Sequence, residues 1–275
     1  MCLNKLNSRE AYLMSIVNSS GQITTNEAVE LLGVSEATVR RLFSKLESEG
    51  RVTRNYGGIQ LAAGYGNTYS FDLRDKYKRA EKIRIGQYAA SLVEDGDTIY
   101  LDCGTTVSQM TRALGTRIIN GEFTSLNIIT NSIANVQALP PSSACCIILA
   151  GGRYHYDRRD FSGSLTEKFV SPFYFSKCFL GCEGVHAKAG FFSNQLDISD
   201  LNTVVIRHSK KTAILTDCSK FEKSSLVSYA RLEEADILVT DRAPESPLLR
   251  ALEESEVEIV VAKSEDAIPE QLSDA

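Results

Sequence analysis

The 275-residue chain is long enough for two domains of roughly 100–200 residues each, and its 43% apolar content supports real cores. No secretory hydrophobic segment opens it and no run approaches the roughly 18 apolar residues of a membrane span, so a soluble, cytoplasmic protein without a membrane partner is expected. Seven cysteines, an odd number with no C-x-x-C pair and only three histidines, predict neither a disulfide framework nor a metal site, and the net charge of −5 excludes nucleic acid only if it is evenly spread.

Taken in chain order, Tyr12, Leu13, Ile16 and Val17 recur at helical spacing, predicting a first helix that begins at Ser8 and ends at Gly21. Thr24-Thr25-Asn26-Glu27 has the form of a capping box, in which each side chain accepts from the other residue's backbone N–H. It opens a second helix carrying Ala28, Val29, Leu31 and Leu32 up to Gly33. Residues 35–50 predict a third. Val39, Leu42, Phe43 and Leu46 fall at i, i+3, i+4 and i+7 and should face a core, with Ser35 as N-cap and Gly50 as the left-handed closing residue.

The other side of that helix gathers Ala37, Arg40, Arg41, Ser44 and Lys45. From Arg40 to Arg54 five cations (Arg40, Arg41, Lys45, Arg51, Arg54) stand against two acids (Glu47, Glu49), and local charge sets phosphate affinity. A short helix, a tight turn and a second, basic helix make a helix-turn-helix. Residues 51–59, β-prone around Asn55-Tyr56-Gly57-Gly58, add a predicted two-stranded wing. A winged helix-turn-helix domain for double-stranded DNA is therefore expected over 1–60. Its candidate contacts are Ser35, Thr38, Arg40, Arg41, Ser44, Lys45, Arg51 and Arg54, with Arg41 foremost for a base edge and Lys45, Arg51 and Arg54 for phosphates. The alternative is an ordinary helical pair whose charged face serves solubility.

Residues 61–70 lack a clear period and read as a hinge, within a linker over 61–78. Residues 74–92 predict one charged helix with Ile83, Ile85, Tyr88 and Leu92 buried. Thereafter short β-branched runs, each ending in small or polar residues, alternate with helix-like sequence. The second domain, 79–275, is predicted to be α/β: a Rossmann-like, mostly parallel sheet covered on both faces. Such sheets bind ligands outside the carboxyl ends of their strands. Gly104-Thr105-Thr106 before a helix offers backbone N–H groups to an anion, Asp102 suits sugar hydroxyls, Lys220 supplies a cation and Asn131 both donates and accepts. With Ser132, Gly151, Gly152 and Glu183 they form a candidate effector pocket with no catalytic residue and no cofactor.

The chain resembles the DeoR family of bacterial transcriptional regulators. The resemblance is carried by Val34-Ser35-Glu36-Ala37-Thr38-Val39-Arg40-Arg41, Gly57-Gly58, Arg74 with Glu81-Lys82, Leu101-Asp102-Cys103-Gly104-Thr105-Thr106, Thr130-Asn131-Ser132, Gly151-Gly152, Phe179-Leu180-Gly181 and Asp217-Cys218-Ser219-Lys220-Phe221. It implies a winged helix-turn-helix joined to a sensor related in fold to ribose-phosphate isomerases. It further implies an oligomer, dimer or tetramer, that represses a carbohydrate-use operon until a phosphorylated sugar releases it from operator DNA. Leu42 stands where the family commonly has an acid, and Ile198 and Asn202 stand where it tends to have Glu and then Lys or Arg; Asp197 and Asp200 are the nearby acids. Two rival readings remain: a sugar-phosphate isomerase or deaminase using Asp102, Glu183 or Asp217 as base, and a second domain that serves only oligomerisation.

Overall fold

The structure is a computed structural model that describes residues 9–17, 22–55, 57–62 and 70–263. Ser8, Gly21, Tyr56 and residues 63–69 of the expected hinge lie outside the described residues. The chain divides into two compact units, 1–77 and 78–275.

The first unit runs α1 (residues 9–17), β1 (Gln22–Thr24), α2 (Thr25–Leu32), α3 (Glu36–Ser48), β2 (Val52–Asn55), β3 (Gly58–Leu61) and α4 (Phe71–Lys76). The capping box forms: Glu27 N–H donates to Thr24 Oγ1 at 3.3 Å and Thr24 N–H to Glu27 Oε2 at 2.8 Å. Val39, Leu42, Phe43 and Leu46 of α3 are buried together with Leu13, Ile16 and Val17 of α1, Ala28 of α2, and Ile23, Val52 and Ile59 of the strands. Each Val, Leu or Phe of the stripe contributes about 1.5–3 kcal/mol when taken out of water, which is why the stripe fixes which way α3 faces.

The helix closes at Gly50, whose φ of +68° suits glycine. Gly50 N–H donates to the Glu47 carbonyl and Arg51 N–H to that of Leu46, both at 3.0 Å, so the last carbonyls are satisfied. Ser35 is extended at the other end but makes no capping bond through its side chain; its hydroxyl lies 3.0 Å from Thr38 Oγ1 instead. β2 and β3 pair antiparallel as the wing, and β1 adds a third strand on the far side of β3. The sequence does not announce β1, because three residues are too few to show alternation and the last of them also caps α2.

The helix expected over 74–92 is broken in two. Tyr77 is extended and Lys78 left-handed (φ +50°), so α4 ends at Lys76 and α5 (Arg79–Ser91) begins afresh. Ile85 of α5 is fully buried, but Ile83, Tyr88 and Leu92 are only half-buried. The inner face is instead Ile85, Gly86, Ala89 and Ala90, small residues that admit close packing.

The second unit continues with β4 (Thr98–Leu101), α6 (Thr105–Ile119), β5 (Leu126–Thr130), α7 (Ile133–Ala138), β6 (Cys145–Leu149), β7 (Arg153–His155), β8 (Asp160–Ser162) and α8 (Ser164–Val170). Then come β9 (Lys177–Gly181), β10 (Gly184–His186), β11 (Gly190–Ser193), α9 (Leu196–Arg207), β12 (Thr212–Leu215), β13 (Val227–Ala230), β14 (Ile237–Thr240), α10 (Leu248–Glu254) and β15 (Glu258–Val261). Seven strands form one sheet in the order β15-β14-β12-β9-β4-β5-β6, every pairing parallel.

Alternate side chains serve opposite faces of this sheet. Tyr100, Leu180, Ile214 and Leu238 join a core with Leu201 and Val205 of α9 and Leu248 and Leu252 of α10. Ile99, Leu101, Phe179 and Val239 join another with Ile85 of α5 and Val107, Met110 and Leu114 of α6. Burial on both faces explains the near-continuous apolar strands. A small antiparallel sheet, β10-β11-β13, and the hairpin β7-β8 complete the unit. Among the described residues no helix is long and apolar enough to cross a membrane.

Candidate functional site

Two candidate sites stand on this scaffold, one in each unit. In the first, the buried stripe of α3 leaves Ala37, Arg40, Arg41, Ser44 and Lys45 exposed and Thr38 half-exposed. Among the described residues the Arg41 side chain makes no hydrogen bond or ion pair, so its five donors stand uncommitted. Arg40 is paired with Glu36 one turn earlier, Nη2 to Oε1 at 2.6 Å, with both side chains more than half exposed, a type of pair that contributes little and yields easily to a phosphate. Lys45 donates to Glu10 of α1 and lies 3.8 Å from Glu49; the Glu10 carboxylate holds its ammonium above the usual range.

Arg51 faces Glu49 at 3.2 Å. Arg54 reaches from the wing onto α3, donating to Ser44 Oγ at 2.9 Å and to the Arg40 carbonyl at 3.2 Å. Cations on this face thus differ in how far they are engaged, a distinction that no helical-wheel reading contains.

In the second unit the carboxyl ends of β12, β9, β4, β5 and β6 lie side by side. The strand order reverses between β4 and β9, the kind of crevice where open parallel sheets take ligands. Asp102, just past β4, bridges that point: its Oδ2 accepts from Gly181 N–H, at the end of β9, at 3.1 Å. Its Oδ1 is buried with no hydrogen-bond partner. Burial pushes the Asp102 carboxyl up, while the Gly181 and Cys103 N–H groups pull it down.

Gly104 precedes the first turn of α6, and Thr105 and Thr106 are buried there with Ser108, whose hydroxyl is also unpartnered. Asn135 of α7 ties two strand ends together, its amide donating to the Asp102 carbonyl at 2.9 Å and to Thr130 Oγ1 at 3.1 Å. Glu183 and Lys220, from the turns after β9 and β12, pair with each other at 3.1 Å.

Other predicted residues have architectural partners. Asn131 donates its amide to the Phe161 carbonyl at 2.9 Å and accepts Phe161 N–H on its own carbonyl at 2.8 Å, while its side-chain oxygen is buried and unpartnered. Ser132 caps α7 by accepting from Asn135 N–H, and forms a bridge with Asp160. Gly152 gives room to α8, since a Cβ there would meet Thr166 Oγ1 at 2.0 Å; Gly151 is exposed.

The hairpin β7-β8 brings a cluster that the sequence reading passed over. Arg158 forks onto both oxygens of buried Asp160 at 2.9 and 3.0 Å and reaches Ser162 Oγ at 3.3 Å. That hydroxyl lies 2.9 Å from His155 Nε2 and 3.5 Å from Asp197 Oδ2. Burial and Arg158 together lower the His155 pKa, and burial, with the nearby Asp102 and Asp160 carboxylates, pushes the Cys103 thiol up. The sequence carried only a weak signal, opposite charges at Arg158 and Asp160 two residues apart; Arg158 lies in the turn between β7 and β8, and Asp160 opens β8. Of the positions where the resemblance expected an acid and a cation, Ile198 and Asn202 are both buried, and the Asn202 oxygen has no partner.

The DeoR-like helix-turn-helix domain profile matches residues 9–63, and the DeoR C terminal sensor domain profile matches residues 77–242. The chain is 30% identical to the HTH-type transcriptional repressor GlcR of Bacillus subtilis, over 92% of this chain and 95% of that one. It is 31% identical to the lactose phosphotransferase system repressor of Staphylococcus epidermidis, over 83% of this chain and 89% of that one. Among solved structures, ribose 5-phosphate isomerase A from Methanocaldococcus jannaschii is 19% identical, covering 53% of this chain and 56% of its own, with a TM-score of 0.39.

Proposed function

Because this chain belongs to the DeoR family of DNA-binding transcriptional regulators, we propose that it represses a carbohydrate-use operon by laying the exposed face of α3 along the major groove of its operator. The observation that carries this reading is the uncommitted, exposed Arg41 guanidinium in the middle of a face whose reverse side is the domain's core. Arg41 reads a base edge there; Ser35, Thr38 and Arg40 flank it, the Ser44 hydroxyl being taken by Arg54; Lys45 and Arg51 lie toward the phosphates. One recognition helix covers half a two-fold site, so the active form is at least a dimer, working in the cytoplasm with the chromosome.

In the second unit the crevice at Asp102 takes a phosphorylated sugar. The buried, unpartnered Asp102 Oδ1 accepts from a sugar hydroxyl, the Gly104-Thr105-Thr106 turn offers N–H groups to the anion, and Lys220 provides the counter-charge. Asn131, Ser132, Gly151, Gly152 and Glu183 shape its walls. The relatives are repressors rather than enzymes, and in this reading the carboxylates hold the ligand without transforming it.

The test is selection of duplexes from a randomised pool by the full-length protein, followed by release with a panel of sugar phosphates. Enrichment of a two-fold sequence, and its dissociation by one phosphorylated sugar but not by the free sugar, is expected. Absence of any enriched sequence would overturn the DNA reading, and conversion of a sugar phosphate during incubation would overturn the sensor reading.

A further inference from the structure

Arg54 belongs to β2, yet among the described residues every polar contact of its side chain is on α3. Nη2 donates to Ser44 Oγ at 2.9 Å and to the Arg40 carbonyl at 3.2 Å, Nε donates to Glu47 Oε2 at 3.4 Å, and the guanidinium carbon lies 5.4 Å from the centroid of the Phe43 ring. Arg40, Phe43, Ser44 and Glu47 stand at i, i+3, i+4 and i+7, so the wing arginine lies along one stripe over two turns of the helix.

A planar fork can rest on a ring while its separate N–H groups reach a carbonyl, a hydroxyl and a carboxylate. An ammonium, a compact point charge on a flexible stem, cannot make the same set. Arg54 also differs in kind from Arg40: Arg40 bonds to the Glu36 carboxylate one turn away on its own helix, whereas Arg54 joins two different elements and grips helix backbone.

We propose that Arg54 is a positioning residue for DNA recognition rather than a phosphate contact: it fixes the wing against α3 and so sets the orientation in which Thr38 and Arg41 are presented to the groove. This role rests on the reading of α3 as the DNA-reading helix and removes one cation from the phosphate set. A phosphate contact and a brace leave different traces. Losing a phosphate contact weakens all sequences alike and flattens the salt dependence, whereas losing a brace reduces discrimination between sequences and leaves the salt dependence intact.

The experiment uses the full-length protein, a duplex it has selected from a randomised pool, and a scrambled duplex of the same length. Dissociation constants for both are measured across a salt series for wild type, Arg54→Lys, Arg54→Ala, Ser44→Ala and the Ser44→Ala/Arg54→Lys pair. Arg54→Lys is expected to lose at least tenfold in discrimination, as much as Arg54→Ala does, with an unchanged salt slope on the scrambled duplex. Ser44→Ala, at an exposed position that does not threaten the fold, is expected to lose part of that discrimination and to add nothing to Arg54→Lys, since both act through one contact.

The proposal is overturned if Arg54→Lys keeps wild-type discrimination while Arg54→Ala lowers the slope by about one. It is overturned equally by additive Ser44 and Arg54 effects, or by variants that match wild type throughout. Failure of the wild type to select any sequence would instead remove the reading of α3 itself.

Discussion

Lys220 Nζ lies 3.1 Å from Glu183 Oε2, joining the turns that follow the neighbouring strands β12 and β9, with neither side chain more than 18% exposed. The cation that the sequence offers to a phosphate is thus already held beside the place where the ligand is proposed to sit.

Breaking that pair leaves a mostly buried charge behind. Lys220→Met and Glu183→Gln are each expected to lower stability by about 1–3 kcal/mol, and the double variant by less than the sum. The phosphorylated sugar that raises the wild-type melting temperature is expected to leave that of Lys220→Met unmoved, because a ligand stabilises only the state it binds. Thermal-shift titration reads both effects, and an undiminished shift in Lys220→Met would take this lysine out of the site.

Arg41→Ala is expected to weaken binding to the selected duplex by about 1–3 kcal/mol, the range of one bidentate contact to a base, while binding to a scrambled duplex falls much less. Fluorescence-anisotropy titration at fixed salt measures both. Equal losses on the two duplexes would mean that Arg41 touches only backbone.

Asp97 gives the second unit an acid-sensitive anchor. Burial alone would push its carboxyl up, but Lys177 Nζ at 2.7 Å, Glu94 N–H at 2.8 Å and Ser176 Oγ at 2.7 Å outweigh that and hold it below the usual carboxylate range. A carboxyl whose pKa falls on folding stabilises the native state fully above its unfolded value, near pH 4, and loses that contribution as the pH drops through the folded value. Asp97→Asn should therefore melt lower than wild type at pH 7 and lose less between pH 5 and pH 3. Parallel melting curves for the two proteins across that window would contradict the assignment.

Gly50→Ala forces an L side chain into φ +68° at the end of α3. A cost of about 1–2 kcal/mol is expected in the unfolding of the first unit by urea, with the second unit's transition unchanged.

The first unit was largely legible in the sequence because its signals are local: the Thr24–Glu27 box, the Val39–Leu46 stripe and the Gly50 stop each occupy a few consecutive residues. Where structure depends on partners distant in sequence, legibility failed. β1 exists because β3 offers it an edge, and the break at Tyr77–Lys78 involves no glycine or proline. In the candidate pocket the strand-end positions were readable from the parallel-sheet rule, and Asp102, just past β4, accepts from Gly181 N–H at the end of β9. What the rule could not give is commitment: Asn131 is zipped to Phe161, Gly152 is pressed to Thr166, and the Arg158–Asp160 pair arrives on a hairpin whose fold no local pattern declares.

Thr24 is at once the last residue of β1, opposite Gly58, and the cap of α2, and the next residue, Thr25, gives both its N–H and its hydroxyl to the Gly57 carbonyl in the wing turn at 2.8 and 2.9 Å. Fraying the sheet would therefore strip the helix of its start. Amide protons of α2 and of the β1–β3 ladder should exchange with deuterium at a common rate, as one cooperative element that opens all together or not at all.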